Sequence, residues 1–245
     1  MPDTKNRIMS ISASNETIFV LVRFKVGGNL RFLSHSETVE VFRRACVRAG
    51  LQVQYTEGFN PHLKLSLPLP RSVGVESDDE LLCLRIRKSS PDTEQLKAAL
   101  AGQLPAGIEL FSVTTSKTKP PLQPCAATYI LDVQPEYATE QLKTKIEQLL
   151  ASESLNLDRY IDAKGTKLKN VDVRSYIKSI VFAVKETRQG TATDGKMAFS
   201  IVVQCEISPA GSIRVDEILK LLGLDIGNLA SPVRRTSLQW QQCHN

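Results

Sequence analysis

Two of the three histidines in this 245-residue chain, His35 and His62, stand where a polypeptide can do chemistry. His35 lies in Ser34-His35-Ser36, just ahead of an apolar helical pattern, with Glu37 three residues after Ser34. That is capping-box spacing, and the free N–H groups of a helix start also favour an anion. Plain capping and a place in a binding site both fit Ser34 and His35. His62 closes Gly58-Phe59-Asn60-Pro61-His62, which directly follows Tyr55-Thr56-Glu57. Pro61 fixes its own φ and biases Asn60 to an extended shape, while Gly58 tolerates conformations that other residues avoid. Leu63, Leu65, Leu67 and Leu69 then alternate with Lys64, Ser66 and Pro68. The alternation predicts buried leucines on one side, with Lys64 and Ser66 presented on the other. In a β-α-β unit both strands end at the edge where the helix begins. The reading therefore predicts one site built from His35, Asn60 and His62, with Tyr55 and Gly58 in its wall and Arg31 and Lys64 supplying charge. Two imidazoles that meet there would act as general acid and base.

Other signals are weaker. Lys164, Lys167 and Lys169, with Arg159 and Arg174 nearby, form a basic patch around Gly165. Such a patch is either a phosphate contact or a solvated face. Gly27-Gly28 lacks the surroundings of a phosphate loop and reads as a turn. Hydrolase, zinc-protease and paired-carboxylate signatures are not seen. The aromatic share is 6%, and no base-stacking aromatic signature is visible. Five cysteines, odd in number and without a CxxC pair, argue against structural zinc and iron–sulfur clusters; no cofactor is expected. Cys46, Cys83 and Cys205 fall in apolar segments and read as small hydrophobes. The apolar runs are strand-sized, the start of the chain has no apolar leader, and a reducing cytoplasm is expected without membrane insertion. A net charge of +5 permits an acidic partner such as nucleic acid without requiring one.

The elements that must position these residues follow from periodicity. Thr17–Lys25 reads as a strand, and Leu30–Leu33 as a short one. The helix after Ser34 puts Val39, Phe42, Cys46 and Ala49 on one face and stops at Gly50. Gln52–Thr56 and Asp79–Arg87 read as strands. A helix opens at Ser90-Pro91 and ends before Pro105, and Ile108–Val113 closes the round. The order β-α-β-β-α-β is the ferredoxin-like pattern. Ser116–Pro124 is polar and rich in proline. A second round follows: strands at Thr128–Val133, near Arg159–Asp162, Val171–Val184 and Met197–Ile207, and helices at Thr139–Leu150 and Val215–Leu222, the latter stopped by Gly223. Leu229–Trp240 adds a last strand. The fold class is α+β: two ferredoxin-like halves with antiparallel sheets, at 16–115 and 125–245, after an arm at 1–15 and joined by a linker at 116–124.

Residues 22–80 carry a resemblance. Arg31, Phe32, Ser34 and His35, then Tyr55, Gly58, Phe59, Asn60, Pro61 and His62, then Gly74, Ser77 and Glu80 match the pattern of the radical SAM-linked protein family, whose biochemical function is not established. Val171–Lys178, Gly211–Leu219 and Arg234–Thr236 resemble its C-terminal features, so the likeness runs along nearly the whole chain. The chain departs at Ser36-Glu37, Thr56, Leu63 and Val215, where the family commonly has Leu-Asp, Ser, Pro and Pro. Members occur alone or fused behind radical SAM regions. The resemblance implies a radical SAM protein as partner, and an accessory or substrate-binding role. This chain itself has no CxxxCxxC cluster motif. RNA is the substrate class that the mild basic balance and the expected halves suit. Two other readings stay open: a stand-alone RNA-binding or RNA-processing protein, and a small-molecule enzyme using His35 and His62.

Overall fold

Alternation in the first strand, β1 (Thr17–Val26), decides the first layer: Ile18, Val20, Val22, Phe24 and Val26 are all buried in one cluster. The computed structural model describes residues 17–87, 92–160, 165–187 and 196–241. Helix α1 (His35–Arg48) lays Phe42, Ala45 and Cys46 on that cluster, with the Phe42 ring edge-on to Phe24 at 4.6 Å. Strand β2 (Leu65–Ser66) is only two residues long, and β3 (Glu76–Arg87) alternates Leu82, Leu84 and Ile86 into the same core. Helix α2 (Thr93–Ala101), N-capped by Asp92, adds Leu100, and β4 (Ile108–Ser116) adds Ile108 and Val113.

A second cluster forms the other half. Strand β5 (Pro124–Val133) leads into α3 (Glu140–Ala151), which buries Leu142, Ile146 and Leu149. Strands β6 (Asn156–Tyr160) and β7 (Leu168–Asp172) pair only with each other, as a two-stranded sheet of their own. Then come β8 (Ile177–Thr187), β9 (Lys196–Ser208), the short β10 (Gly211–Ser212), helix α4 (Val215–Leu222) and β11 (Arg234–Trp240). Gly223 ends α4 in the left-handed conformation, at φ 71°, as its position predicts.

The fold is thus mixed α+β, with a large, mostly antiparallel sheet and four helices among the described residues. One feature corrects the expectation of separate sheets. A single nine-stranded sheet runs β10-β9-β5-β11-β3-β1-β4, with β8 on β9 and β2 on β3. The join is a short parallel pairing of β11 with β3, where Arg234 and Arg235 face Glu76 and Ser77. Its cause lies in the proline-rich segment before β3. Because β2 pairs only with Leu84 and Cys83, the start of β3 is left with an open edge, and β11 takes it. No helix among the described residues is long and apolar enough to cross a membrane.

Three local expectations also change. Residues 28–32 form a 3-10 turn rather than a strand. Residues 52–56 make only isolated bridges, at Val53 and Tyr55. The stretch 171–184 is two strands, separated by a 3-10 turn at Arg174–Tyr176.

Candidate functional site

The GFNPH segment is the tip of a hairpin that leaves and rejoins the edge of β3. Gln54 N donates to Arg85 O at 2.7 Å, and Arg85 N donates to Lys64 O at 3.0 Å, so the two arms meet β3 at the same residue. Between them Tyr55 pairs with Leu63, Thr56 N donates to His62 O at 2.7 Å, and His62 N donates to Thr56 Oγ1 at 2.9 Å. Gly58 takes φ 123°, a region closed to most L side chains, which explains the glycine. Leu63 anchors the hairpin in the core, and Leu65 and Leu67 pack against it. Everything from Tyr55 to His62 is exposed, and Phe59 completely so.

This geometry decides what the histidines can do. His35 is half-buried at the first position of α1 and lines a narrow gap with Thr38, Leu67, Arg71 and Glu80. His62 lines a different, shallow recess with Tyr55, Arg43, Arg44 and Arg48. The His62 recess runs along α1 from Glu40 to Arg48, whereas His35 lines the gap at the helix start, so the two imidazoles face separate concavities. The hairpin itself leaves β3 at Arg85, near the C-terminal end of that strand. Ser34 is engaged in its cap: its Oγ accepts from Glu37 N and donates to Glu37 Oε2, while Ser34 N donates to the same carboxylate. Asn60 is an exposed tip residue. Arg31 Nη1 donates to Gly28 O at 2.8 Å, and its guanidinium lies over the Phe32 ring at 4.3 Å.

Lys64 belongs to a cationic recess. On β1 and β3 the residues between the core positions, Phe19, Cys83 and Arg85, point to the other face of the sheet. There they line a groove of about 780 Å³ with Lys64, Ser66 and Lys119. Three cations and an aromatic ring line it, and no carboxylate does. The Arg85 guanidinium sits 5.1 Å over Phe19, which holds both side chains flat against the sheet. Burial pushes the Cys83 thiol up, against the pull of Arg85 and Lys119, so this sulfur is not an activated nucleophile. Sequence reading found Lys64 and missed its companions. The alternation of 79–87 was the available signal for Arg85; Lys119 had none, since only the path of residues 117–123 carries it there.

The basic turn is less uniform than its sequence. Lys164 lies outside the described residues. Lys167 and Lys169 are exposed. Arg174 is not a free cation: Nε donates to Ser152 O, Nη1 to Ile177 O and Nη2 to Leu150 O, closing the carbonyl end of α3. Arg159 is paired with buried Glu217. Among the described residues no group of three His, Cys, Asp or Glu side chains is placed to hold a metal ion.

A further recess, of about 550 Å³, opens between the halves. Arg31, Phe32 and residues 72–75 form one wall; α4 and residues 226–233 form the other. Beside it lies a charged cluster that sequence reading also missed. Arg235 Nη2 donates to Glu80 Oε1 with both side chains buried, and Arg235 Nη1 donates to Pro70 O. Arg71, also buried, donates to the carbonyls of Arg31, Leu33 and Val75, pinning the 28–33 turn.

Comparison with known proteins gives a family and little else. A family model described as an uncharacterized protein conserved in bacteria matches residues 20–211. No curated protein matches the chain. Among solved structures, the crystal structure of an unknown protein from Galdieria sulphuraria is 13% identical, covering 85% of this chain and 91% of that one. Its TM-score is 0.22, too low to carry an argument.

Proposed function

This chain belongs to the uncharacterized bacterial family DUF2344, and we propose that it is an accessory protein without independent catalysis, which binds single-stranded RNA and presents it to a radical SAM enzyme in the cytoplasm. The observation that carries the RNA part is the groove of Phe19, Lys64, Arg85 and Lys119. Cations without carboxylates follow a phosphate backbone, and the Arg85 guanidinium, lying over the Phe19 ring, offers its plane for a base to stack on. The GFNPH hairpin forms a wall of this groove through Thr56, which ties Lys64 to the segment that carries the radical SAM resemblance. The accessory role follows from that resemblance, and the lining of separate recesses by His35 and His62 supports it.

Both halves are read here as ferredoxin-like units. In the first, the order β4-β1-β3 with β2 at the edge suits a β-α-β-β-α-β chain. The second follows suit as β11-β5-β9-β8, with β6 and β7 as an inserted hairpin.

Fluorescence anisotropy with a labelled single-stranded RNA tests the groove. Binding should weaken linearly in log affinity against log salt. Replacing Lys64, Arg85 and Lys119 by Ala should lower that slope by about 2, at roughly 0.7 per lost phosphate contact on a single strand. Absent binding at low salt, or an unchanged slope in the triple variant, rejects RNA as the ligand. Co-purification of a radical SAM protein with the tagged chain from its own host tests the partner; repeated isolation of the chain alone rejects it.

A further inference from the structure

We infer that the recess between the halves is a separate binding site for a small, largely apolar, aromatic molecule carrying one anionic group. Its volume of about 550 Å³ lies within the range of small-molecule pockets, about 300–1,000 Å³, and it sits between two structural units, where such pockets concentrate. The floor is apolar and fixed: Val75, Leu219 and Val233 are buried, and Glu76 N donates to Val233 O across its base. The rim is apolar and open. Phe32 is 56% exposed, Val73 60% and Ile226 77%, although all three border one concavity. Large exposed hydrophobic side chains gathered around a recess mark a ligand more than a solvated surface.

The charge on the walls selects the class of ligand. Two charged side chains line the recess, Arg31 on one wall and Asp216 on the other. Asp216 lies in the first turn of α4, where the free N–H groups of the helix start offset its charge. Arg31 forms no carboxylate ion pair within 4 Å among the described residues; its Nη1 meets a carbonyl and its plane meets Phe32. A guanidinium stacked on an aromatic ring keeps its remaining N–H groups directed in its own plane, ready for a carboxylate, sulfonate or phosphate. The same ring offers a face to a planar apolar group. The cationic groove lies elsewhere and shares no lining residue with this recess.

Two fluorescent probes test the inference on the intact chain: 8-anilinonaphthalene-1-sulfonate, which is aromatic and anionic, and N-phenyl-1-naphthylamine, which has no charge. The sulfonate should bind the folded protein at one saturable site and raise its melting temperature. Phe32→Ser with Ile226→Gln should weaken both probes about tenfold, as removal of apolar contact area would. Arg31→Gln should weaken the sulfonate about tenfold or more, as loss of a charge-assisted hydrogen bond would, and leave the naphthylamine unchanged. These positions are half-exposed or exposed, and near-ultraviolet circular dichroism confirms that each variant keeps its packing. Absence of saturable sulfonate binding overturns the site, as does binding that the rim variants leave unchanged. Equal weakening of both probes by Arg31→Gln overturns the anion preference.

Discussion

Arg235 and Glu80 show how much one buried pair decides. The two lie 155 positions apart in sequence, and both are almost without solvent exposure. Taking two charges out of water costs several kcal/mol each, repaid only while both are present with good hydrogen bonds. Among the described residues Glu80 is the one carboxylate within ion-pair distance of Arg235, whose neighbour Arg71 is also buried. Glu80→Gln keeps the shape and leaves the Arg235 cation without a countercharge. It should destabilise the chain by about 3–5 kcal/mol in urea unfolding, the usual cost of breaking such a pair. Glu80→Leu with Arg235→Met removes both charges and should recover a good part of that loss. If the double variant is as damaged as the sum of the singles, the pair is not coupled. Cys46 and Cys205 show burial acting on a thiol alone: it pushes each up to about 12, so neither is an available nucleophile at neutral pH.

At the level of elements, α1 and the hairpin beside it divide the work. The start of α1 is closed by the Ser34–Glu37 capping box, with Thr38 Oγ1 donating to Ser34 O as well. Ser34→Ala should cost about 1 kcal/mol, typical of a lost N-cap. The Ser34 hydroxyl and then the Ser34 N–H hold the Glu37 carboxyl below its ordinary 4.5. A carboxylate whose folded value is depressed stabilises the fold at pH above its unfolded value, and that contribution fades as pH falls through the folded one. The stability gap between the natural chain and Ser34→Ala should therefore narrow on acidification below about pH 4.5 and stay constant between pH 6 and 8. A gap that widens in acid would show that the box is not the source. The hairpin, by contrast, contributes anchoring through Leu63 and exposes everything beyond Thr56.

For the whole molecule, the decisive feature is the continuous sheet. β11 pairs with β5 in its own half and with β3 in the other. Leu238 N donates to Asp79 Oδ2, and the same Asp79 side chain receives Arg23 Nε from β1. A fragment ending at Ser116 would keep its core and the Arg23–Asp79 pair, and lose Arg235 against Glu80, Leu238 N against Asp79 and β11 at the β3 edge. Residues 17–116 and 117–241 made separately should associate on mixing, seen as one peak in size-exclusion chromatography, and the first fragment alone should unfold at lower urea than the intact chain. Two fragments that ignore each other, each as stable as the whole, would show the join to be incidental.

Sequence alone determined much of the local structure. Apolar alternation in 17–26 and 79–87, the Ser34–Glu37 spacing and Gly223 are short-range signals, and the backbone follows them because neighbouring side chains and N–H groups are enough to satisfy them. The conformation of Gly58 was legible for the same reason. Tertiary structure alone decided where the pieces meet. Residues 52–54 and 64–66 share the β3 edge with a hairpin between them, so His62 shares a recess with Glu40 to Arg48 of α1 and not with the helix start. Arg174 reads as a surface cation until the end of α3 and the start of β8 place three carbonyls around it. Arg85 and Lys119 join Lys64 only because the chain after β4 crosses the sheet face. Backbone pairing between distant strands uses N–H and C=O groups that every residue carries, so periodicity says which face a residue takes and not which strand becomes its neighbour.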